Sequence, residues 1–174
     1  MPNVFLISDT HFGHHNMYHF TLQDGSRVRH EFENVTDADL AMVQNWNKVV
    51  GKKDKVYHLG DVFINRKAKF ILNELNGDKV LIKGNHDIFK LNDYTDFFRD
   101  IRAYHILDKM VISHVPIHHD SLGKFVGNVH GHLHRGVVLD NEKNPDPMYK
   151  SVCVEHINYT PIELSEVRKK FNDG

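Results

Sequence analysis

The sequence predicts an α/β fold, with mainly parallel strands in its first half and antiparallel strands in its second. Three observations predict it. The apolar runs Val4-Phe5-Leu6-Ile7, Val56-Tyr57-His58-Leu59, Val80-Leu81-Ile82 and Met110-Val111-Ile112 each stop at a polar or glycine-containing turn, as buried strands do. Between the first and third runs lie two segments with apolar residues at helical spacing. Beyond Ile101 the pattern changes to closely spaced strands without intervening helices.

Residues 11–35, after the first strand, form a polar and aromatic stretch with no period. Loops of that length are mostly functional or disordered. Thr36 then reads as the N-cap of a helix whose face is Leu40, Val43, Trp46, Asn47 and Val50, ending near Gly51. Lys52-Lys53-Asp54 turns into the second strand. Residues 67–75 predict a second short helix, with Ala68, Ile71, Leu72 and Leu75 to one side and Asn76-Gly77 as its stop. The stretch from Asp61 to Asn85 is long enough for a crossover helix and a parallel strand. Residues 91–100 read as a third helix or an irregular segment. Strands are expected over 102–107, 109–113, 126–130, 137–140 and 151–158, with Pro145 and Pro147 marking an exposed turn. Residues 162–171 read as a terminal helix or a frayed end.

At 174 residues the chain is expected to form one domain, 1–174, with room for a sizeable core. Apolar residues at 40% and charged residues at 26% exclude a disordered or fibrous chain. A formal net charge of −1 provides no global field to gather nucleic acid or an anionic membrane, so tight binding to either is not expected. The single cysteine, Cys153, cannot form an intrachain disulfide and reads as a small buried hydrophobe on a strand. With no leader-like segment and no run of membrane-spanning length, the expectation is a cytoplasmic enzyme. The compositional departure is the count of 15 histidines.

Five stretches carry groups suited to metal: Asp9-Thr10-His11, Gly60-Asp61, Gly84-Asn85-His86-Asp87, Ser113-His114 and Gly131-His132-Leu133-His134. In an extended segment residues i and i+2 project to one side, so Asp9 with His11, and His132 with His134, can each grip one ion. Ligands of open α/β sheets gather beyond the carboxyl ends of strands, where these stretches fall. A carboxylate has two oxygens, so Asp61 at a strand end can bridge two cations. Any one stretch alone also reads as a loop cap or a solvated histidine. Five in order point to a metal centre.

These five stretches, spanning Asp9 to His134, resemble the calcineurin-like metallophosphoesterases, whose pattern is D-x-H, G-D, G-N-H-[D/E], a histidine after a strand, and G-H-x-H. The chain departs at Ser113, where glycine is usual. Asp9-Thr10-His11-Phe12-Gly13-His14 further resembles a small, uncapped branch found in bacteria and phages. The resemblance implies a four-layer α/β/β/α sandwich of two mixed sheets flanked by helices. It also implies two divalent transition-metal ions, with manganese named first and iron, zinc, nickel or cobalt left open by the mixed ligand set. The first would be held by Asp9, His11, Asp61 and His134, the second by Asp61, Asn85, His114 and His132. The implied reaction is hydrolysis of a phosphate ester by in-line attack of a metal-bridging hydroxide, without a phosphoenzyme.

The resemblance implies that His86 faces the substrate and donates a proton to the leaving group. Asp87 is expected to orient its ring, with a helix N-cap ahead of Ile88-Phe89-Lys90 as the alternative. Asn85, His14 and Arg66 are candidate substrate contacts. Arg27 and Arg29 read as solvated surface cations, with phosphate anchoring as the alternative. His58 and His130 read as buried, hydrogen-bonded histidines. His118 and His119 are assigned to an exposed turn, and His15, His19 and His30 to the surface. The expected substrates are small phosphodiesters: cyclic nucleotides, nucleotide diesters or short oligonucleotides. A phosphomonoesterase or protein phosphatase, and a non-catalytic scaffold, stand as the other readings. A closed structural zinc site fits poorly, because such sites are usually rich in thiolates.

Overall fold

The computed structural model describes residues 2–172. Met1, Asp173 and Gly174, at the ends of the expected 1–174 domain, lie outside the described residues. Strands β1 (Val4–Ile7), β2 (Lys55–His58), β3 (Asp78–Ile82) and β4 (Asp100–Arg102) run parallel. They form the first sheet with β9 (Ile162–Glu163), in the order β4-β3-β2-β1-β9. The second sheet has the order β5-β6-β7-β8: β5 (Tyr104–Leu107), β6 (Met110–Ser113), β7 (Gly127–His130) and β8 (Tyr149–Ser151). The fold is therefore mixed α/β, with two mixed sheets and few helices.

The second sheet corrects an expectation. Only β5 and β6 are antiparallel, joined by a tight turn at Asp108 and Lys109, both with φ in the left-handed range (50° and 64°). β6, β7 and β8 are parallel, because the loops between them cross back over the sheet instead of turning as hairpins. The predicted strand over 102–107 is split at Ala103, where the chain leaves the first sheet and enters the second. Residues 137–140 contribute only an isolated bridge, Leu139 to Pro145. The segment 151–158 leaves the sheet after Ser151 and passes into a 3₁₀ turn, Val154–His156. There Cys153 is buried and bridges Ser8 at the end of β1, which ties the two sheets together.

Helix α1 spans Val35–Val49 and is capped by Asn34, whose side chain accepts the Asp37 N–H at 2.9 Å, so Thr36 is not its cap. Its buried face is Val35, Ala38, Met42 and Trp46, at i, i+3, i+7 and i+11. Leu40 and Asn47 lie off that stripe, and Leu40 is 55% exposed. The segment after β2 is a 3₁₀ helix, Arg66–Glu74, burying Ala68 and Leu72. Helix α2 is one turn, Asn92–Thr95, and α3 (Leu164–Asn172) follows β9, a strand the sequence pattern did not indicate.

One core takes in Leu6, Val56 and Leu81 of the first sheet, Met110, Ile112 and Val129 of the second, Met42 and Trp46 of α1, and Val167 of α3. Val111, alternating with Ile112, packs instead on Leu122 and Tyr149, under loops and the 3₁₀ turn His119–Ser121. No helix among the described residues is long and apolar enough to cross a membrane.

Candidate metal centre

The five stretches meet where β1, β2, β3, β6 and β7 end. Backbone hydrogen bonds lace these ends together: Asp9 N–H to the Gly60 carbonyl (2.9 Å), His11 N–H to that of Asp61 (3.0 Å) and Gly131 N–H to that of His114 (2.9 Å). The expected extended geometry of the paired ligands is corrected here. Asp9, His11, Asp61, His132 and His134 all adopt positive φ, between 48° and 71°. Such conformations are costly for side-chain-bearing residues and cluster at functional sites. The chain turns sharply at each of these residues, and the pairs converge through those turns, not by strand alternation.

Two of the glycines in these stretches follow from crowding. A Cβ on Gly84 would strike the Asp61 backbone nitrogen at 2.6 Å as well as its carboxylate. One on Gly131 would overlap Ser8 and the Asp9 carboxylate.

Ligand atoms of Asp9, His11 and His134 lie within 4.8 Å of one another, as do those of Asp9, Asp61 and His114. Asp61 Oδ2 stands 3.5 Å from His11 Nε2 and 3.5 Å from His114 Nε2, between the two groups. Its other oxygen accepts the His86 backbone N–H at 2.8 Å. Asn85 Oδ1 lies 2.8 Å from His114 Nε2 and 3.0 Å from His132 Nδ1.

The residues present fit a divalent cation, on two observations. Asp9 Oδ1 and both His11 ring nitrogens are buried without a hydrogen-bond partner among the described residues, although each is expensive to leave unsatisfied. Second, His114 Nδ1 lies 2.7 Å from the Leu59 carbonyl, which only accepts, so the ring proton sits on Nδ1. In the neutral ring Nε2 then faces the Asn85 and Asp61 oxygens with a lone pair, an arrangement that a cation resolves.

The surroundings favour the metal-binding form at His11 and His132 and the protonated form at Asp61 and His134. Burial pushes the His11 imidazole well below its usual value, aided by Arg29 and His134, which favours the neutral form that binds metal. His132 is lowered by burial and by the His114 ring. Burial pushes the Asp61 carboxyl up to about 6, with the Asp9 charge adding to the rise and His114 opposing it. At His134 burial is outweighed by the hydrogen bond and charge of Glu155, and the ring is raised.

His86 is exposed, and its ring centroid is 5.6 Å from that of His11. His14 also joins the cluster, 5.5 Å from His11, with Nδ1 buried and unpartnered. Asp87 corrects an expectation. Its carboxylate accepts the backbone N–H groups of Asp61 (2.9 Å), Val62 (2.9 Å) and Gly84 (2.8 Å), and among the described residues no ion pair joins it to the His86 ring. It braces the turns that present Asp61, and residues 88–90 form no helix for it to cap. Arg66 is not brought to the cluster by any described contact; it pairs with Asp93 at 3.5 Å and lies over Phe89. Arg27 pairs with Glu33.

Arg29, read as a surface cation, is fully buried, because the long loop 11–35 folds in and packs Met17, Tyr18 and Val28 against α1. Its partner is Glu155, at 2.9 Å. Glu155 and the Cys153 thiol, which donates to Asp9 Oδ2 at 3.3 Å, were not among the sequence candidates. With His132 N–H also on Oδ2, Asp9 has its other oxygen left for a cation. The pairing of Arg29 with Glu155 spans 126 residues, and no local pattern signals a contact of that range. His58 and His130 are buried and hydrogen-bonded, and His118 and His119 are exposed.

No protein-family model matches the chain. An uncharacterised protein of Methanocaldococcus jannaschii is 34% identical over an alignment of 184 positions, covering 100% of this chain and 94% of that protein. The gene 66 protein of Mycobacterium phage D29 is 27% identical, over 99% of this chain and 98% of its own length. Among solved structures, a protein of unknown function from Aquifex aeolicus superposes with a TM-score of 0.73 at 23% identity, covering 97% of this chain and 99% of that one, and so shares the fold. Given its identity and coverage, the chain belongs to the same family as the M. jannaschii protein.

Proposed function

We infer that the protein is a calcineurin-like metallophosphoesterase that hydrolyses small phosphodiesters at a pair of divalent cations, manganese first among them. The observation that carries this reading is Asp61 Oδ2, equidistant at 3.5 Å from His11 Nε2 and His114 Nε2 where five strand ends meet. Asp9, His11, Asp61 and His134 would hold the first cation, and Asp61, Asn85, His114 and His132 the second. When bound, such cations polarise a phosphoryl oxygen and make solvent nucleophilic near neutral pH. The His86 backbone N–H holds Asp61 Oδ1 and so leaves Oδ2 for the shared position. The exposed His86 ring is suited to hand a proton from a ring nitrogen to the departing oxygen. Asn85 lies beside it, and the half-buried His14 ring stands next to His11, where it is a candidate contact for a phosphoryl oxygen.

Charge favours diesters over monoesters. A monoester carries a second negative charge that a site must match, and three arginines near the ligand stretches in sequence or space are committed. Arg29 is paired with Glu155, Arg66 with Asp93 and Arg135 with Glu31. Cyclic nucleotides, nucleotide diesters and short oligonucleotides fit a site of modest charge. The same reading carries the four-layer arrangement, supported by the two sheets and the packing of α1 and α3 on their core. It also carries a cytoplasmic location, with which one unpaired, buried cysteine is compatible.

The test is a panel of cyclic nucleotides, bis(p-nitrophenyl) phosphate, dinucleotides, phosphomonoesters and phosphopeptides, each with added Mn²⁺. Diesters are expected to turn over fastest. A clear monoester preference overturns the substrate ranking. Silence across the panel with manganese, iron, zinc, nickel and cobalt leaves the non-catalytic scaffold.

A further inference from the structure

Two residues outside all five stretches, Arg29 and Glu155, meet beside the cluster with no exposed side-chain surface. Arg29 Nε donates to Glu155 Oε1 at 2.9 Å, and the same oxygen lies 3.1 Å from His134 Nδ1. Glu155 Oε2 has no hydrogen-bond partner among the described residues, so the bonding of this carboxylate is concentrated on one oxygen shared by a guanidinium and an imidazole. The other end of Arg29 donates to the carbonyls of Asp9 and of Thr10, the latter at 3.0 Å, and to Tyr18 Oη at 3.4 Å. An ionised carboxylate only accepts, so the neutral His134 ring carries its proton on Nδ1 and keeps a lone pair on Nε2.

We propose that Arg29 and Glu155 are a positioning pair. Glu155 selects the His134 tautomer whose Nε2 faces the cluster, and Arg29 clamps the Asp9-Thr10 turn, so that the first and last ligand stretches face one cation. The proposal rests on the metal-centre reading above. Stability alone is a poor account of the pair, since a buried ion pair is commonly no better than an apolar pair of similar volume. A hydrogen-bonded partner on the far nitrogen of a metal-binding histidine, by contrast, changes metal affinity by about 10–100-fold.

Two double variants separate these roles. Arg29→Met with Glu155→Leu removes both charges and the acceptor while keeping bulk. Arg29→Met with Glu155→Gln removes the charges but leaves a carbonyl oxygen for His134 Nδ1–H. Mn²⁺ binding to the full chain is measured by calorimetry. The His134 tautomer is read from ¹⁵N NMR of the metal-free protein at a pH where the ring is neutral. The Met/Leu chain is expected to weaken one of two Mn²⁺ steps by about 10–100-fold and to lose the Nδ1–H tautomer, while Met/Gln regains most of both. Wild-type Mn²⁺ affinity and tautomer in the Met/Leu chain would overturn the proposal, as would a Met/Gln chain no better than Met/Leu. Should Met/Leu fail to fold, the wild-type spectrum decides alone, and a proton on Nε2 sinks the pair. If wild type takes up no Mn²⁺ at all, the metal centre fails, and the tautomer comparison then judges Glu155 by itself.

Discussion

The two halves of the cluster differ in depth. Asp9 and His11 are sealed, at 0% and 2% exposure, with His134 half-buried beside them, whereas Asn85 and His86 are exposed and His132 is half-buried above a buried His114. The deep half is braced at Asp9, Thr10 and His134: Arg29 on the Asp9 and Thr10 carbonyls, Glu155 on His134, the Cys153 thiol on Asp9. The open half rests on the Leu59 carbonyl and on Asn85, with little behind it. On the proposed reading, the half whose backbone is braced and whose Asp9 and His11 ligand atoms are left over would retain a cation, and the more open half would admit substrate and solvent. On that reading, retention belongs to one end of the centre and chemistry to the other.

Asp61 is where this division ends, because its Oδ2 serves both halves. Asp61→Ala is the largest break available: both halves are expected to lose their cation together and turnover to vanish. Metal analysis of the purified chain checks it, and one retained ion per chain would show that Asp9, His11 and His134 hold the deep cation without Asp61. His86→Ala probes the open half by itself. The rate should fall by about 10²–10⁴-fold with metal content intact. Loss of metal in that variant would place His86 among the ligands and dissolve the separation between holding and reacting.

Much of the deep half was legible in the sequence, and much of its bracing was not. The four apolar runs became β1, β2, β3 and β6, because an apolar run stopped by a turn is a local signal. The residues at the ends of those runs were readable for the same reason. The parallel run of β6, β7 and β8 was not, since strand direction depends on where long loops go. The role of Asp87 failed on the backbone: three N–H groups from two turns compete for its carboxylate and win over one neighbouring ring. Arg29 looked solvated because a charged residue in an unpatterned loop usually is, and only its distant acid partner makes burial affordable.

That partner gives the deep half a pH signature. Burial alone would raise the Glu155 carboxyl, but the Arg29 charge and the His134 hydrogen bond hold it at about 2, against 4.5 unperturbed. A folded-state value below the unfolded one means stability that is fully present above pH 4.5 and lost as pH falls towards about 2. The difference corresponds to about 3 kcal/mol. Urea unfolding of the metal-free chain at stepped pH should show this slope in wild type and its absence in Glu155→Gln. At pH 7 the variant should be weaker by about 3–5 kcal/mol, because Arg29 is left buried and uncompensated. Parallel stability curves for the two chains would mean that Arg29 is solvated by water without needing the Glu155 charge.

The smallest effects should come from the rim, and they sharpen the boundary of the open half. His14 presents a buried, unpartnered Nδ1 beside His11, while Arg66 is exposed and held by Asp93 and Phe89. A single hydrogen bond to a phosphoryl oxygen is worth enough that His14→Ala should raise KM for a model diester by about tenfold with kcat little changed. Arg66→Ala should shift KM less, because the side chain must first leave Asp93. Steady-state kinetics on a minimal diester and on a trinucleotide distinguish the two positions. If Arg66→Ala matters only for the longer substrate, the open half extends past His86 along the strand-end rim. If it matters equally for both, Arg66 swings inward on binding, and the charge argument for diesters loses one of its three committed arginines.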